Sequence, residues 1–159
     1  MVAKESNSVS FRMATAFGLS PCMRVQLLVN DFCHQAIHSK TFTVFEPDAR
    51  RTFIHIKDFV DALEFGLVNY EKMTDKVYNC GDNKLNWTKR KLANYIAERT
   101  GAKIFFGEFN KDADCRDYEV SHDKIDKLGL YTKISMEEGI DELLKAVPIL
   151  KVGNRYEPN

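Results

Sequence analysis

Residues 50–62 have the sequence Arg50-Arg51-Thr52-Phe53-Ile54-His55-Ile56-Lys57-Asp58-Phe59-Val60-Asp61-Ala62. The pattern predicts a basic loop at Arg50 and Arg51, followed by a short buried strand at 53–56. A helix is expected from Asp58 to about residue 70, because an acidic side chain at the N-cap or in the first turn interacts favourably with the free backbone N–H groups. Its apolar residues cover more than one face, which is typical of a helix sandwiched between two layers.

The segments on both sides of this stretch predict further strands and helices. Alternating or β-rich residues indicate strands at 9–13, 41–45, 77–79 and 103–106, and helical apolar spacing or capping residues indicate helices at 25–37, 88–100, 121–128 and 135–147. Thr88, Ser121 and Ser135 are suited to begin the last three helices, since their hydroxyls accept backbone N–H groups. This mixed order, without an internal repeat, predicts a layered α/β fold.

Length and composition indicate one ordinary globular domain. The chain has 159 residues, 44% hydrophobic and 29% charged, with a formal net charge of +0. We expect a disordered lead-in at 1–7, a folded part at 8–150 and a mobile tail at 151–159. The balanced charge gives no bulk attraction to nucleic acid or to an anionic membrane, no apolar run is long enough to span a bilayer, and the N-terminal residues lack the apolar core of a signal peptide.

The cysteines also agree with an ordinary globular domain. Cys22, Cys33, Cys80 and Cys115 are widely spaced, without a C-x-x-C pair. This spacing argues against a zinc site or a disulfide framework. Reduced thiols in a cytoplasmic protein are the expectation.

Two groups of residues have the composition of a catalytic or metal site but weak spacing. Ser121, His122 and Asp123 are consecutive at a predicted helix start, where capping is the better interpretation because a catalytic triad is assembled in space. His34 and His38 lie four positions apart on a predicted helix, a spacing that can bind metal, but no acidic partner accompanies them at helical spacing. Surface histidines are the better interpretation.

The remaining candidates are one histidine and three arginines. His55 can act as a general base, but its place in an apolar strand favours a hydrogen-bonded structural role. Arg50, Arg51 and Arg116 are predicted to lie in two loops, and arginine matches phosphate with a planar, bidentate fork. Spacing alone leaves two alternatives open, a diphosphate clamp and solvated surface charges.

Six segments, in order, resemble the C-terminal half of the NAD-dependent epimerase/dehydratase family, the extended short-chain dehydrogenases/reductases. RTFIHIKD at 51–58 resembles the signature R-(D/P)-(F/Y)-(I/V)-H-V-x-D. The others are VSFRMATAFG (9–18) for L-R-x-x-x-x-(Y/F)-G, CMRVQLLVNDF (22–32) for R-M-R-x-D-x-x-V-N-D-F, FTVF (42–45) for the strand before the arginine loop, VYNCG (77–81) for x-Y-N-x-G, and DCRDYEVSHDK (114–124) for D-P-R-(D/N)-Y-x-V-S-x-x-K. The match implies the C-terminal part of an extended Rossmann-type fold, without the N-terminal dinucleotide-binding part.

The resemblance implies a role for residues of two of these segments in holding a nucleoside-diphosphate sugar. Arg51 matches the arginine that grips the diphosphate. Thr43 and Phe45 match residues near the nucleotide base. Glu46 departs from the pattern, since glycine is common there, and an acid beside a phosphate site repels the ligand.

Three further segments carry implied contacts with the substrate or the cofactor. Arg116 and Asp117 match a loop that closes on the nucleotide, often through the ribose hydroxyls. Asn30 matches a helix-start residue near the phosphates. Phe17 and its neighbours match the side that faces the nicotinamide in whole enzymes of the family.

The groups that hold the cofactor and move the proton in this family have no counterpart in the sequence. The eight glycines form no G-x-G-x-x-G or G-x-x-G-x-x-G, the pattern whose glycines allow a pyrophosphate to approach the backbone. No tyrosine has lysine four positions on, the pair that supplies a tyrosinate base. We therefore expect no NAD or NADP to bind this chain alone, and no catalytic residue is assigned.

Three functional alternatives follow from the resemblance, and they leave open whether the chain is itself an enzyme. The first is the nucleotide-sugar-binding half of a truncated or split enzyme that works with a separate cofactor-domain polypeptide. The second is a stand-alone nucleotide-sugar-binding module, and the third is a non-functional, self-associating fragment. Because the strand at 8–14 and the helix at 58–70 pack against the cofactor domain in whole enzymes, we expect a homo-oligomer that covers them.

Overall fold

The structure is a computed structural model that describes residues 7–107 and 117–150. The predicted tail, the lead-in apart from Asn7 and most of the predicted loop at 107–117 lie outside these residues. The described strands are β1 (Val9–Met13), β2 (Thr15–Phe17), β3 (Thr41–Phe45), β4 (Arg50–His55), β5 (Lys76–Cys80), β6 (Asn86–Thr88) and β7 (Lys103–Gly107). The described helices are α1 (Leu28–His38), α2 (Ile56–Val68), α3 (Tyr70–Met73), α4 (Lys89–Thr100), α5 (Asp123–Asp126) and α6 (Met136–Ala146), with a 3-10 turn at Asn83–Leu85.

The strands form small sheets in which parallel pairing predominates. β1 pairs with β5, β2 with β4, and β3 with β7, all in parallel. β6 joins β4 in the antiparallel direction and completes the order β2-β4-β6. Parallel strands joined through helices are the mark of an α/β protein, so the predicted fold class is confirmed.

Two hydrophobic clusters form the core of the described residues. The larger one joins α1, α4 and α6 to the β2-β4-β6 and β3-β7 sheets; its fully buried members include Val29, Cys33, Ala36, Val44, Phe53, Leu92, Ile96, Ile140 and Leu143. The smaller one lies between the β1-β5 sheet, α2 and α5, and includes Ile54, Ala62, Met73, Tyr78 and Ile125. β4 contributes to both clusters because successive side chains of a strand point to opposite faces.

The predicted basic loop at Arg50 and Arg51 is wrong, because both residues belong to β4. In the antiparallel pair, Arg50 is opposite Thr88 and Arg51 is opposite Trp87 of β6. The sequence did not predict this three-residue strand, and pairing with it extends β4 at its N-terminal end. The pleat leaves Arg50 exposed and buries Arg51, which is 8% exposed.

The helix boundaries agree with the predicted caps in two of three cases. The Thr88 hydroxyl accepts the Lys91 N–H, and Ser135 forms a capping box with Glu138. α5 differs, because it spans only Asp123–Asp126 and His122 is its N-cap residue. The Ser121 hydroxyl instead accepts the Asp123 N–H in a local turn. α1 also begins at Leu28, three positions after the predicted start at residue 25.

The expectation that α2 is sandwiched between two layers is not met by the described residues. Its inner face packs on the smaller cluster through Ala62, and His55 is its N-cap residue. Leu67 and Val68 on the other side are 78% and 77% exposed, and Val60 is 55% exposed. No part of the chain that the structure describes forms a second layer over this face, so the apolar surface of the helix remains open to solvent.

Candidate functional site

A cleft of about 600 Å³ lies between α1 and the β3-β7 sheet. Its lining consists of Leu28, Asp31, Phe32, Gln35, Ser39, Thr41, Phe42, Thr43, Phe45, Lys89 and Phe105. The structure therefore brings two of the predicted site residues, Thr43 and Phe45, into one cavity. Because parallel pairing places Thr43 opposite Phe105, the exposed Phe105 ring stands beside them.

The cleft combines aromatic surfaces with hydrogen-bonding groups. Phe45 and Phe105 contribute aromatic rings to the lining, and Thr43 is exposed. On the α1 side, the Gln35 amide donates to the Asp31 carboxylate at 2.8 Å, which orients both polar groups. Such a lining is suited to a flat ring with polar edges, since aromatic faces stack on it and a few polar groups select its orientation.

The turn from β3 to β4 is attached to the start of α4 by two consecutive basic residues. Lys89 and Arg90 donate their backbone N–H groups to Ala49 and Pro47. The Arg90 guanidinium also holds the Asp48 carboxylate with two bonds, of 2.8 and 3.0 Å. These contacts determine how the chain passes from the cleft to β4, the arginine strand, which begins with Arg50 and Arg51.

Lys89 is a site residue that sequence reasoning missed. Its ammonium group donates to the Phe45 carbonyl at 3.2 Å and lies 3.8 Å from Glu46 Oε2. The residue is only 2% exposed. A lysine in the first turn of a helix normally extends into water, so no feature of the sequence indicated its burial.

Glu46 adopts a left-handed backbone conformation with φ 50°. Non-glycine residues rarely occupy this region, because the side chain is crowded there and glycine has none. The backbone geometry thus explains why glycine is common at this position in the family that the sequence resembles. Lys89 supplies a positive charge beside the acid that replaces it.

Asp117 reaches the arginine strand through Arg50 rather than Arg51. Its carboxylate accepts the Arg50 backbone N–H at 3.0 Å, and the Arg50 guanidinium donates to Glu119 at 2.9 Å. The bond from the Arg50 backbone lowers the pKa of Asp117. Arg116 lies outside the described residues, so the predicted pair of Arg51 and Arg116 is represented only by Arg51, buried in β4.

Asn30 lies apart from this cleft. It is 2% exposed; its carbonyl oxygen accepts the Gly18 N–H at 3.1 Å and its amide donates to the Arg24 carbonyl at 3.0 Å. It lines a second, smaller cavity of about 230 Å³ with Phe17, Gly18 and Cys22. The side chain therefore holds the turn after β2, and the contact of Asn30 with phosphates stays a prediction.

Gly18 and Gly81, the glycines that follow β2 and β5, each lie against a buried histidine. At Gly18 the place of a Cβ atom is occupied by the His55 ring. At Gly81 it lies 2.6 Å from Nε2 of the buried His122. Both glycines therefore make room for a histidine ring of this chain.

His55 is a buried, hydrogen-bonded histidine, as predicted. Its Nδ1 accepts the Lys57 N–H at 3.3 Å, so Nε2 carries the proton and donates to Glu142 at 3.0 Å. Burial lowers the pKa of His55, which makes this contact a hydrogen bond from a neutral ring rather than an ion pair. The bond joins β4 to α6 and leaves no ring nitrogen for general-base chemistry.

Asp58, at the end of the signature segment, is also structural. Its carboxylate is 4% exposed and accepts the backbone N–H groups of Lys133 and Ile134 at 2.9 and 3.1 Å. The residue lies in the first turn of α2, where a negative charge is favourable. The acid therefore connects α2 to the segment that leads into α6.

The other candidate groups form no catalytic or metal site among the described residues. The His122 ring faces Asn83 Oδ1 at 3.2 Å. No group of three or more histidine, cysteine or acidic side chains in the described ranges is placed to hold a metal ion. Burial raises the pKa of the Cys33 and Cys80 thiols to about 12, so neither is a reactive thiolate. Within residues 7–107 and 117–150, every helix is too short or too polar to cross a membrane.

Comparison with known proteins places this arrangement in a known fold. No family model matches the sequence. The UDP-glucose 4-epimerase of Thermotoga maritima, solved with UDP-glucose, matches 87% of this chain with a TM-score of 0.73 and 22% identity. The UDP-glucose 4-epimerase of Thermus thermophilus, solved with NAD, matches 88% with a TM-score of 0.72 and 18% identity. A dTDP-glucose 4,6-dehydratase of Bacillus anthracis matches 85% with a TM-score of 0.70 and 20% identity.

The match covers only part of each solved structure, namely 45%, 46% and 42% of those chains. The present chain thus spans less than half the length of the structures that it matches. The likeness in fold agrees with the resemblance in the sequence segments. The chain therefore has the fold of part of these epimerase and dehydratase structures.

Proposed function

We propose that residues 8–150 are the nucleotide-sugar-binding part of an NAD(P)-dependent nucleoside-diphosphate-sugar epimerase or dehydratase. The observation that supports the proposal is that a four-residue turn connects β3, which lines the cleft, to β4, which carries Arg51. Thr43 and Phe45 line the cleft at the end of β3, and one short turn leads to Arg51 in β4. A ligand with a flat base and a diphosphate needs these two features side by side.

The chemistry of the two features matches the two ends of such a ligand. The base stacks against Phe45 and Phe105, and Thr43 hydrogen-bonds its edge. Arg51 binds the diphosphate, because a guanidinium offers parallel donors to phosphate oxygens. Asp117 accepts from the ribose hydroxyls. The cleft volume of about 600 Å³ lies within the roughly 300–1,000 Å³ usual for small-molecule sites.

The chain binds the nucleotide sugar, and it does not itself carry out hydride transfer. The glycine loop and the tyrosine–lysine pair, which the sequence lacks, would come from a cofactor domain outside the printed residues, in the same or a separate polypeptide. We propose that the protein works in the cytoplasm and associates with copies of itself. By itself, the chain is expected to bind neither NAD nor NADP and to turn over no nucleotide sugar.

Calorimetric titration with UDP-, dTDP- and CDP-sugars tests the binding function. Arg51→Ala is expected to weaken the preferred ligand roughly ten- to hundredfold, because each hydrogen bond to a charged group contributes about 1.5–3 kcal/mol. Arg12→Ala is the matched control, since Arg12 is an exposed arginine in β1 of another sheet. Arg51→Lys retains the charge without the fork and is expected to give an intermediate affinity.

The outcomes separate the alternatives. Heat with the pure chain would show that the binding site is complete without a cofactor domain. The absence of heat with all three ligands, or equal affinities of Arg51→Ala and wild type, would refute the proposed binding role. Conversion of any nucleotide sugar by the pure chain with NAD or NADP would refute the proposed lack of turnover.

A further inference from the structure

We propose that Lys89 neutralises Glu46 in the turn between β3 and β4, and that this charge compensation allows the adjoining site to accept a diphosphate. The inference rests on the proposed function and deepens it, because it assigns a positioning and specificity role to Glu46 in the turn and to Lys89 beside it. Glu46 lies in the turn just before β4, at a position where glycine is common in the family that the sequence resembles.

The turn contains two acids, and each is close to one of the basic residues at the start of α4. Asp48 is held by the Arg90 guanidinium with two bonds and is 78% exposed. Glu46 is only 22% exposed, and its Oε2 lies 3.8 Å from the Lys89 ammonium. Glu46 is thus the inner acid of the turn, where water screens its charge less.

Lys89 is placed to act on both the cleft and the turn. Its ammonium donates to the carbonyl of Phe45, whose ring lines the cleft, and Lys89 itself is part of the same lining. It directly follows Thr88, which is opposite Arg50 in the antiparallel pair. The Lys89 ammonium therefore lies where the cleft meets the turn that leads to β4.

The electrostatic consequence depends on the charge of the ligand. Without a positive charge beside it, the Glu46 carboxylate repels a diphosphate and offsets part of the attraction of Arg51. With Lys89 in place, the pair has no net charge and the attraction of Arg51 remains. An uncharged nucleoside in the cleft has no charge for Glu46 to repel. The change in affinity is therefore expected for ligands with phosphates and not for the nucleoside alone.

Calorimetric titration of UDP and uridine separates the phosphate contribution from the rest of binding. Lys89→Met is expected to weaken UDP about tenfold more than it weakens uridine, a difference of about 1.4 kcal/mol, because only UDP carries the phosphates that the uncompensated Glu46 repels. Glu46→Gln is expected to strengthen UDP binding. The double variant Glu46→Gln with Lys89→Met is expected to recover most of the loss, which a purely structural role of Lys89 would not produce.

Two further variants control for the amount and type of charge. Asp48→Asn removes a negative charge from the same turn at an exposed position and is expected to change UDP affinity less than Glu46→Gln does. Lys89→Arg keeps the positive charge and is expected to retain UDP binding. Thermal unfolding of each variant shows whether the fold is retained, and Glu46→Gln decides the matter where Lys89→Met does not fold.

The results distinguish this inference from the function on which it rests. If wild type binds UDP but Lys89→Met loses UDP and uridine equally, or the double variant shows no recovery, charge compensation is refuted and the proposed function stands. Unchanged or weakened UDP binding by Glu46→Gln would likewise refute charge compensation and leave the proposed function standing. If wild type binds no UDP at all, the proposed function and this inference are both refuted.

Discussion

Removal of the Asp58 carboxylate is expected to destabilise the protein by about 3–5 kcal/mol, since hydrogen bonds to a charged group contribute about 1.5–3 kcal/mol each. Two such bonds are lost, those to the backbone N–H groups of Lys133 and Ile134. The site is 4% exposed, so water does not readily replace the carboxylate. Asp58→Ala therefore leaves two donors without an acceptor between α2 and the segment that leads into α6.

Asp61→Ala is the matched control on the same helix. Asp61 binds the Lys133 ammonium at 2.6 Å, with side-chain exposures of 39% and 75% for the two partners. An exposed ion pair of this kind contributes roughly 0.2–1 kcal/mol. The two variants thus remove the same chemical group from one helix, and both affect a contact to Lys133, but only Asp58 accepts backbone N–H groups.

Urea unfolding at neutral pH, monitored by circular dichroism, measures the free energy of unfolding of each variant and of wild type. A change of about 3–5 kcal/mol corresponds to a melting temperature lower by roughly 6–20 °C for a chain of this size. Asp58→Asn is expected to lose at least half as much as Asp58→Ala, because the amide offers one acceptor and turns a donor toward the other N–H. A loss below about 1 kcal/mol for Asp58→Ala, or equal losses for the alanine variants of Asp58 and Asp61, would refute the reasoning.

Three further outcomes are expected. Gly139→Ala should cost about 1–3 kcal/mol by overpacking, because its Cβ would lie 2.5 Å from Phe17 and 2.8 Å from the His55 ring; unchanged urea unfolding would contradict this. Burial lowers the pKa of both His55 and His122 below the ordinary value of 6.5, so the unfolded chain takes up more protons below that pH. Stability to urea is therefore expected to fall as the pH drops from about 7 to 5, and a flat profile over this range would show that neither histidine is kept neutral by the fold. Wild type is expected to sediment as an oligomer at micromolar concentration and Leu67→Glu as a smaller species, because Leu67 is 78% exposed on α2; a wild-type monomer would contradict the predicted self-association.

Local patterns in the sequence were sufficient for most of the individual elements. Period-two alternation located β1, and apolar residues at helical spacing located α1 and α4. The caps at Thr88 and Ser135 are formed within one turn of the helix they begin, so neighbouring residues determine them. The structural role of His55 was also predictable, since its strand is apolar on both sides.

Features that depend on distant pairing were not predictable in this way. Arg50 and Arg51 were expected in a loop because three residues, Asn86–Thr88, carry too little pattern to indicate the strand that pairs with them. Asp58 was expected to serve its own helix, yet its carboxylate binds N–H groups that are 75 and 76 positions further along the chain. Both differences arise because the partner is distant in sequence.

The candidate site also combines features that the sequence predicted with features that depend on the tertiary structure. The sequence by itself determined which residue types are present, and its segments carried the resemblance that singled out Thr43, Phe45 and Arg51. Only the tertiary structure decided that Thr43 and Phe45 share a cleft with Lys89, that Asn30 is used for a turn, and that the Lys89 charge lies beside Glu46. The physical reason is that charge compensation and burial are properties of groups brought together in space, and here those groups come from β3, the turn that follows it and the start of α4.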